Sequence, residues 1–186
     1  MIYLDNNAST EPDPEVLAAV EAAARLFGNP SSVHAEGRRA RRAIEEARAE
    51  VAALVNARPE EIFFTSGGTE SNALAIFGSV FGRRGRIVLS GAEHPSVREP
   101  IARLGGTDAF EAVTVNPEPS GALEADKILD AAKEGTVLVS LMAANNEYGA
   151  VFPVARVAPE LRSRGAIVHT DAVQAAGKIP VDVRAW

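Results

Sequence analysis

The sequence predicts an α/β domain: a doubly wound, mainly parallel sheet with helices on both faces. Three observations predict it. Short apolar runs alternate with stretches of helical periodicity along most of the chain. Some runs, such as "TVLVSLM" at Thr136–Met142, are apolar almost throughout, the pattern of a strand buried on both faces. Polar, chemically capable side chains also follow four of the five runs, where open α/β sheets hold their ligands.

Taken in order, helices are expected at Pro14–Phe27 and Ala35–Asn56. In the second, apolar residues recur at Ala40, Ala43, Ile44, Ala47, Val51, Leu54 and Val55, a helical spacing. Arg41/Glu45 and Arg42/Glu46 are i,i+4 pairs, so the basic run Arg38–Arg42 reads as a solvated helix face in preference to a polyanion site. Strands then alternate with helices: strand Ile62–Thr65, helix Glu70–Phe81, strand Arg86–Ser90, helix Ser96–Leu104 and strand Ala112–Val115. Helix Ala122–Ala132, strand Val137–Leu141, helix Val154–Arg164 and strand Ile167–Thr170 complete the series. No repeat, low-complexity tract or long linker interrupts it.

The 186 residues are enough for a sizeable core, and 46% apolar with 24% charged residues is an ordinary globular balance. A net charge of -6 recruits neither nucleic acid nor an anionic membrane. The absence of cysteine excludes disulfides and thiolate-held metals, and the three histidines show no metal-ligand spacing, so no metal is expected. No signal peptide, membrane-spanning run or lipidation motif is found, which makes the cytoplasm the expected location.

The chemistry concentrates at the ends of the apolar runs. "SGGTES" at Ser66–Ser71 places two glycines, with Thr69 after Gly68, between a strand and a helix. Backbone N–H groups there can approach a ligand closely, the helix offers its positive end, and Thr69 adds a hydroxyl. This is a phosphate cradle without the lysine of a nucleotide-triphosphate loop; taken alone it is as compatible with a plain turn. His94 in "GAEHPSV" could stack on a flat ring or move a proton near neutral pH, although a lone histidine is more often structural or exposed. Asn146 in "MAANNEYG" can donate to a phenolate oxygen or a carboxylate, or simply close a turn. Asp171 in "IVHTDAVQ" follows an apolar strand, where its carboxylate needs a partner; a protonated ring nitrogen would serve, and so would a helix N-cap. Gln174 lies three residues on. A phosphate, a flat ring, a ring oxygen and a ring nitrogen together describe pyridoxal 5′-phosphate, an electron sink sharpened when an Asp keeps its ring nitrogen protonated.

With these blocks in view, the chain resembles the cysteine desulfurases of the NifS/IscS type, in the class V aminotransferase family of fold-type I pyridoxal-phosphate enzymes. The resemblance runs through "YLDNNAST" at Tyr3–Thr10, "FGNPSSVHAEGRRAR" at Phe27–Arg41, "FTSGGTESN", "AEHPSV", "NNEYG" and "HTDAVQAAGKIPVDV". It implies that Gly68 and Thr69 bind the cofactor's phosphate end and that His94 stacks on the ring and takes part in proton transfer. Asn146 would contact the ring oxygen and substrate region, Asp171 the ring nitrogen and Gln174 the ring oxygen. It implies residues 1–15 as an N-terminal segment and 16–186 as most of a pyridoxal-phosphate transferase large domain, truncated. It further implies removal of sulfur from L-cysteine, giving L-alanine and an enzyme-bound persulfide. The expected partners are a second copy or a complementary C-terminal half, and an iron–sulfur scaffold or other sulfur acceptor.

Three departures qualify that picture. Family members run to roughly twice this length, with the Schiff-base lysine, the small domain and the substrate-gripping arginine in the part beyond. The lysines present are Lys127, Lys133 and Lys178, none at the expected Schiff-base position, and there is no cysteine to carry a persulfide. The chain is therefore expected to be an N-terminal half, inactive alone. Two other readings stand beside it: a different class V enzyme, such as an aminotransferase or selenocysteine lyase, and a non-catalytic half-domain that binds or regulates a partner.

Overall fold

The computed structural model describes residues 2–186 and divides them into two compact units, 2–62 and 63–186. The first unit holds α1 (Pro14–Ala24), α2 (Ala35–Leu54) and a single 3-10 turn at Pro59–Glu61. Asp13 caps α1, its carboxylate accepting from the Glu15 N–H at 2.8 Å, and Pro14 fills the first helical position, where a missing N–H costs nothing. His34 caps α2 through Nδ1, which accepts from the Gly37 N–H. A Cβ at Gly37 would lie 2.5 Å from the Ser32 carbonyl oxygen, so this helix packs onto the preceding loop only through a glycine. The ion pairs on α2 are Arg39–Glu36 and Arg48–Glu45 at i,i+3, in place of the expected Arg41/Glu45 and Arg42/Glu46; Glu45 is taken by Arg48, whose guanidinium also donates to the Ile62 carbonyl.

The second unit is the α/β body. It runs α3 (Gly68–Val80), β1 (Gly85–Ser90), α4 (Pro95–Gly105), β2 (Phe110–Val115), α5 (Ala125–Ala131), β3 (Thr136–Ser140), α6 (Val154–Ser163) and β4 (Ile167–His169). The four strands are parallel in the order β2-β1-β3-β4. Ile87 pairs with Leu138 and Val88 with Val139, and all four are fully buried, so both faces of the sheet centre are covered. On one face Ile87, Leu89 and Leu138 pack with Ile76 and Val80 of α3 and Val97 and Ile101 of α4. Right-handed crossovers place α5 and α6, which pack on each other, on the opposite face.

The order β2-β1-β3-β4 fixes where a ligand can enter. The chain leaves β1 toward β2 and leaves β3 toward β4, in opposite directions, so the loops after β1 and β3 diverge and open a crevice at their carboxyl ends.

One expected strand is not in the sheet. Residues 62–65 lie outside the four strands, and Phe63 and Phe64 are 77% and 52% exposed. Apolarity signals that a run wants burial, but a strand also needs a neighbour for its ladder, and 62–65 pair with none of the four strands although β2 and β4 each keep one side open. The remaining expected elements form, with ends that coincide or move by at most three residues.

Candidate cofactor-binding site

Residues 91–95 after β1 and 145–148 after β3 line a cleft of about 320 Å³ at the crevice, joined by Arg98 and Pro117. His94 and Asn146 therefore face the same space. His94 is the N-cap of α4: its Nδ1 accepts from the Ser96 N–H at 3.1 Å, with Pro95 at the first helical position. The ring is exposed on the cleft side.

The two adjacent amides of "AANNE" have separate tasks. Asn145 is buried; its Nδ2 donates to the Ala92 carbonyl at 3.2 Å, and its Oδ1 accepts from Glu147 N at 2.8 Å and Tyr148 N at 3.1 Å. It clamps the loop after β3 onto the loop after β1 and leaves Asn146, half-buried, turned to the cleft.

Gly68 opens α3, whose first intrahelical bond runs from Ser71 N to Gly67 O. The N–H groups of Gly68, Thr69 and Glu70 precede that bond and form the positive end of the helix. A Cβ on Gly67 would meet nothing within 4 Å, whereas one on Gly68 would lie 3.2 Å from Val173 Cγ2. That contact sets the cradle beside the segment that follows β4. Thr69 is exposed at the helix mouth. Glu70 folds back onto the preceding turn, accepting from Ser66 N at 2.7 Å and Ser66 Oγ at 2.6 Å, and these bonds hold its carboxyl below the usual range.

Asp171 lies two residues past β4 and is 8% exposed. Its Oδ1 accepts from Val173 N at 3.0 Å and its Oδ2 from Asn72 Nδ2 at 2.8 Å. It is thus an Asx turn and not the helix N-cap that its sequence also allowed. Each carboxylate oxygen keeps further acceptor capacity. Gln174 is half-buried, does not line the cleft, and accepts from Lys178 Nζ through Oε1 at 2.6 Å, which leaves its Nε2 donors.

Several residues around the site are not evident from the motifs. Glu93, beside His94, is 3% exposed; its Oε1 accepts from Ser90 Oγ at 2.7 Å and Met142 N at 2.6 Å, and its buried Oε2 has no partner. Burial, aided by the nearby Asp171 charge, pushes its carboxyl up to about 7 against the two hydrogen bonds. His169 bonds Ser140 Oγ at 2.8 Å, and burial lowers its pKa, with Asp171 opposing. Asn72 sits with Ile76 and Val80 on the buried side of α3. A polar residue at i, i+4, i+8 with two apolar ones was the signal available for it. Glu93 had only its place after an apolar strand.

The donor set fits pyridoxal 5′-phosphate: a helix end for an anion, a buried carboxylate with spare lone pairs for a protonated nitrogen, amide donors for a ring oxygen and an imidazole on the cleft. Among the described residues no group of His, Asp and Glu is placed to hold a metal ion, and no helix is long and apolar enough to cross a membrane.

Comparison with known proteins points the same way. A cysteine desulfurase of Sinorhizobium fredii is 45% identical over 98% of the chain, which spans 48% of that protein. A selenocysteine lyase of Xenopus tropicalis is 40% identical over 98% of the chain and 49% of its own length. The solved structure titled "SspA in complex with cysteine" superposes with a TM-score of 0.90 at 33% identity, covering 96% of this chain and 52% of that one. The chain thus spans about half the length of the curated relatives it matches. The family described as Aminotransferase class-V matches residues 2–186. Its members depend on pyridoxal 5′-phosphate, and the chain belongs to this class V aminotransferase family.

Proposed function

We propose that this chain supplies the cofactor-binding half of a cysteine desulfurase. The observation that supports the reading is that His94 and Asn146 line one cleft beyond the carboxyl ends of β1 and β3, with the buried Asp171 joined to His94 by hydrogen bonds through Asn72 and Ser96. The assembled protein would take L-cysteine and an acceptor thiol to L-alanine and a persulfide, so that the sulfur leaving one carbon is the sulfur added to the thiol. In this reading Gly68 and Thr69 bind the phosphate end, Asp171 holds a proton at the ring nitrogen, and the Nε2 of Gln174 donates to the ring oxygen. Asn146 orients substrate at the cleft, and His94 moves a proton there. When bound, the cofactor supplies an electron sink for charge developing on the substrate.

The thiolate acceptor comes from elsewhere, because this chain has no cysteine. The active assembly is a homodimer of a longer protein or a pairing with a complementary half, working in the cytoplasm and passing sulfur to an iron–sulfur scaffold or thiolation protein. Residues 16–186 are then most of its large domain.

The test is to mix the chain with the part of the Sinorhizobium fredii enzyme that it does not cover, add pyridoxal 5′-phosphate and L-cysteine, and measure alanine release. The expected result is alanine from the mixture, none from either half alone, and a severe loss with Asp171→Ala or His94→Ala. A mixture that forms a complex, binds cofactor and releases no alanine from cysteine would overturn the reading. The resemblance to the selenocysteine lyase favours one second reading, read by supplying L-selenocysteine in the same assay.

A further inference from the structure

His94 and Asp171 stand on different elements, yet a continuous line of hydrogen bonds joins them. Asp171 Oδ2 is 2.8 Å from Asn72 Nδ2, Asn72 Nδ2 is 2.9 Å from Ser96 Oγ, and Ser96 Oγ is 2.7 Å from His94 Nδ1. The line crosses from the loop after β4, through the buried side of α3, to the first turn of α4. Asn72 is 5% exposed and Asp171 8%, so the line is shielded from water at one end and opens to the cleft at the other.

Chemistry fixes its direction. A carboxylate only accepts, so the Asn72 group facing Asp171 is the NH2, whose second hydrogen points to Ser96 Oγ. That oxygen accepts from Asn72, so its single hydrogen is available to His94 Nδ1. The Ser96 backbone N–H, which can only donate, is aimed at the same Nδ1 at 3.1 Å. A neutral His94 with a bare Nδ1 carries its proton on Nε2.

We infer that Asn72 and Ser96 are positioning residues whose one-way relay of hydrogen bonds from Asp171 fixes the orientation of the His94 ring and strengthens the acceptor role of Nδ1 that the Ser96 backbone N–H sets. Asn72 touches neither the cleft nor the ring. It acts through Ser96, and the charge on Asp171 polarises the amide it binds. The relay thereby ties the ring-nitrogen partner to the proton-moving imidazole, so that neither adjusts independently of the other. Its purpose rests on the function proposed above; its existence does not.

The test uses the isotope-labelled chain without cofactor. Proton–nitrogen correlation spectra of the imidazoles are recorded above neutral pH, with His94 assigned by its loss in His94→Gln. The expected result is a proton on Nε2 and an Nδ1 resonance in the hydrogen-bonded acceptor position. Asn72→Ala should shift Nδ1 toward the free-acceptor position, Ser96→Ala should do the same, and Ser96→Thr should not. The decisive arm is the double variant: Asn72→Ala should add no shift in the Ser96→Ala background. A merely structural Asn72 would shift the ring equally in both backgrounds, and that result, or no shift in either, would overturn the inference. Should Asn72→Ala not fold, Asp171→Asn reads the same relay from its far end in the same two backgrounds, with the same criterion. Because these spectra need no cofactor, a chain that never binds pyridoxal 5′-phosphate would sink the proposed function and leave the relay standing. Cofactor binding that depends on Asp171, with a ring indifferent to Asn72, would do the reverse.

Discussion

A carboxyl group buried beside another carboxylate leaves a signature in stability. Glu93 has its pKa raised from 4.5 to about 7, mainly by burial. Between those two values the folded protein holds a proton that the unfolded chain has released, so stability falls as pH rises through the window and levels off above it. The full effect is roughly 3 kcal/mol by the conversion of pKa units to free energy. His169 runs the other way: burial lowers its pKa from 6.5, so stability falls as pH drops below that value. Glu93→Gln keeps an acceptor for Ser90 and Met142 and removes the titration, while His169 remains in both proteins. Relative to the parent, the variant should therefore gain stability steadily from about pH 4.5 to about pH 7, measured by denaturant unfolding across that range. A constant difference at every pH would show that Glu93 ionises freely in the folded chain. The same residue shows where sequence reading stops. His94 and Asp171 stand out because their types are unusual at the ends of apolar strands. Glu93 next to His94 looks like any surface carboxylate until the fold buries it and bonds it to Ser90 and Met142.

At the scale of elements, the apolar pattern found the strands that are buried and erred on the one that is not in the sheet. β1 and β3 are apolar because both faces are covered, and that cause operates wherever the strand sits in the order. Residues 62–65 carry the same pattern, but pairing is a relation between two segments, and nothing local to 62–65 says which partner is at hand. The position of a strand also sets how much a side chain matters. Ile87 in β1 is fully buried between Val97, Ile101 and Leu138, whereas Val113 in the flanking β2 is half-buried. Ile87→Ala should cost about 2–5 kcal/mol and Val113→Ala clearly less, as read by equilibrium unfolding. Equal losses would mean that β2 is covered as fully as β1. The crevice itself was legible only in part. Polar groups after the runs marked the end of the sheet where the cleft lies, but the reversal between β1 and β3, which puts His94 and Asn146 on one cleft, comes from the strand order.

For the whole molecule, the question is whether the α/β unit recognises its ligand through fixed, non-covalent contacts. Pyridoxine 5′-phosphate separates this from covalent capture. It has the ring and the phosphate but no aldehyde, so it cannot react with Lys127, Lys133 or Lys178. A ligand that binds only the folded state stabilises it by about 2.7 kcal/mol at a hundredfold excess over its dissociation constant. For a chain of this length that corresponds to a rise in melting temperature of roughly 5–10 °C. Inorganic phosphate should give a smaller rise, since it engages the end of α3 without the ring. Asp171→Ala should remove most of the ring's share, bringing the rise with pyridoxine 5′-phosphate down toward that with phosphate. The comparison is between shifts and not between melting temperatures, because losing Asp171 also strands the Asn72 amide and lowers the starting point. An equal rise in parent and variant would place the ring away from Asp171 and withdraw the assignment of its nitrogen to that carboxylate.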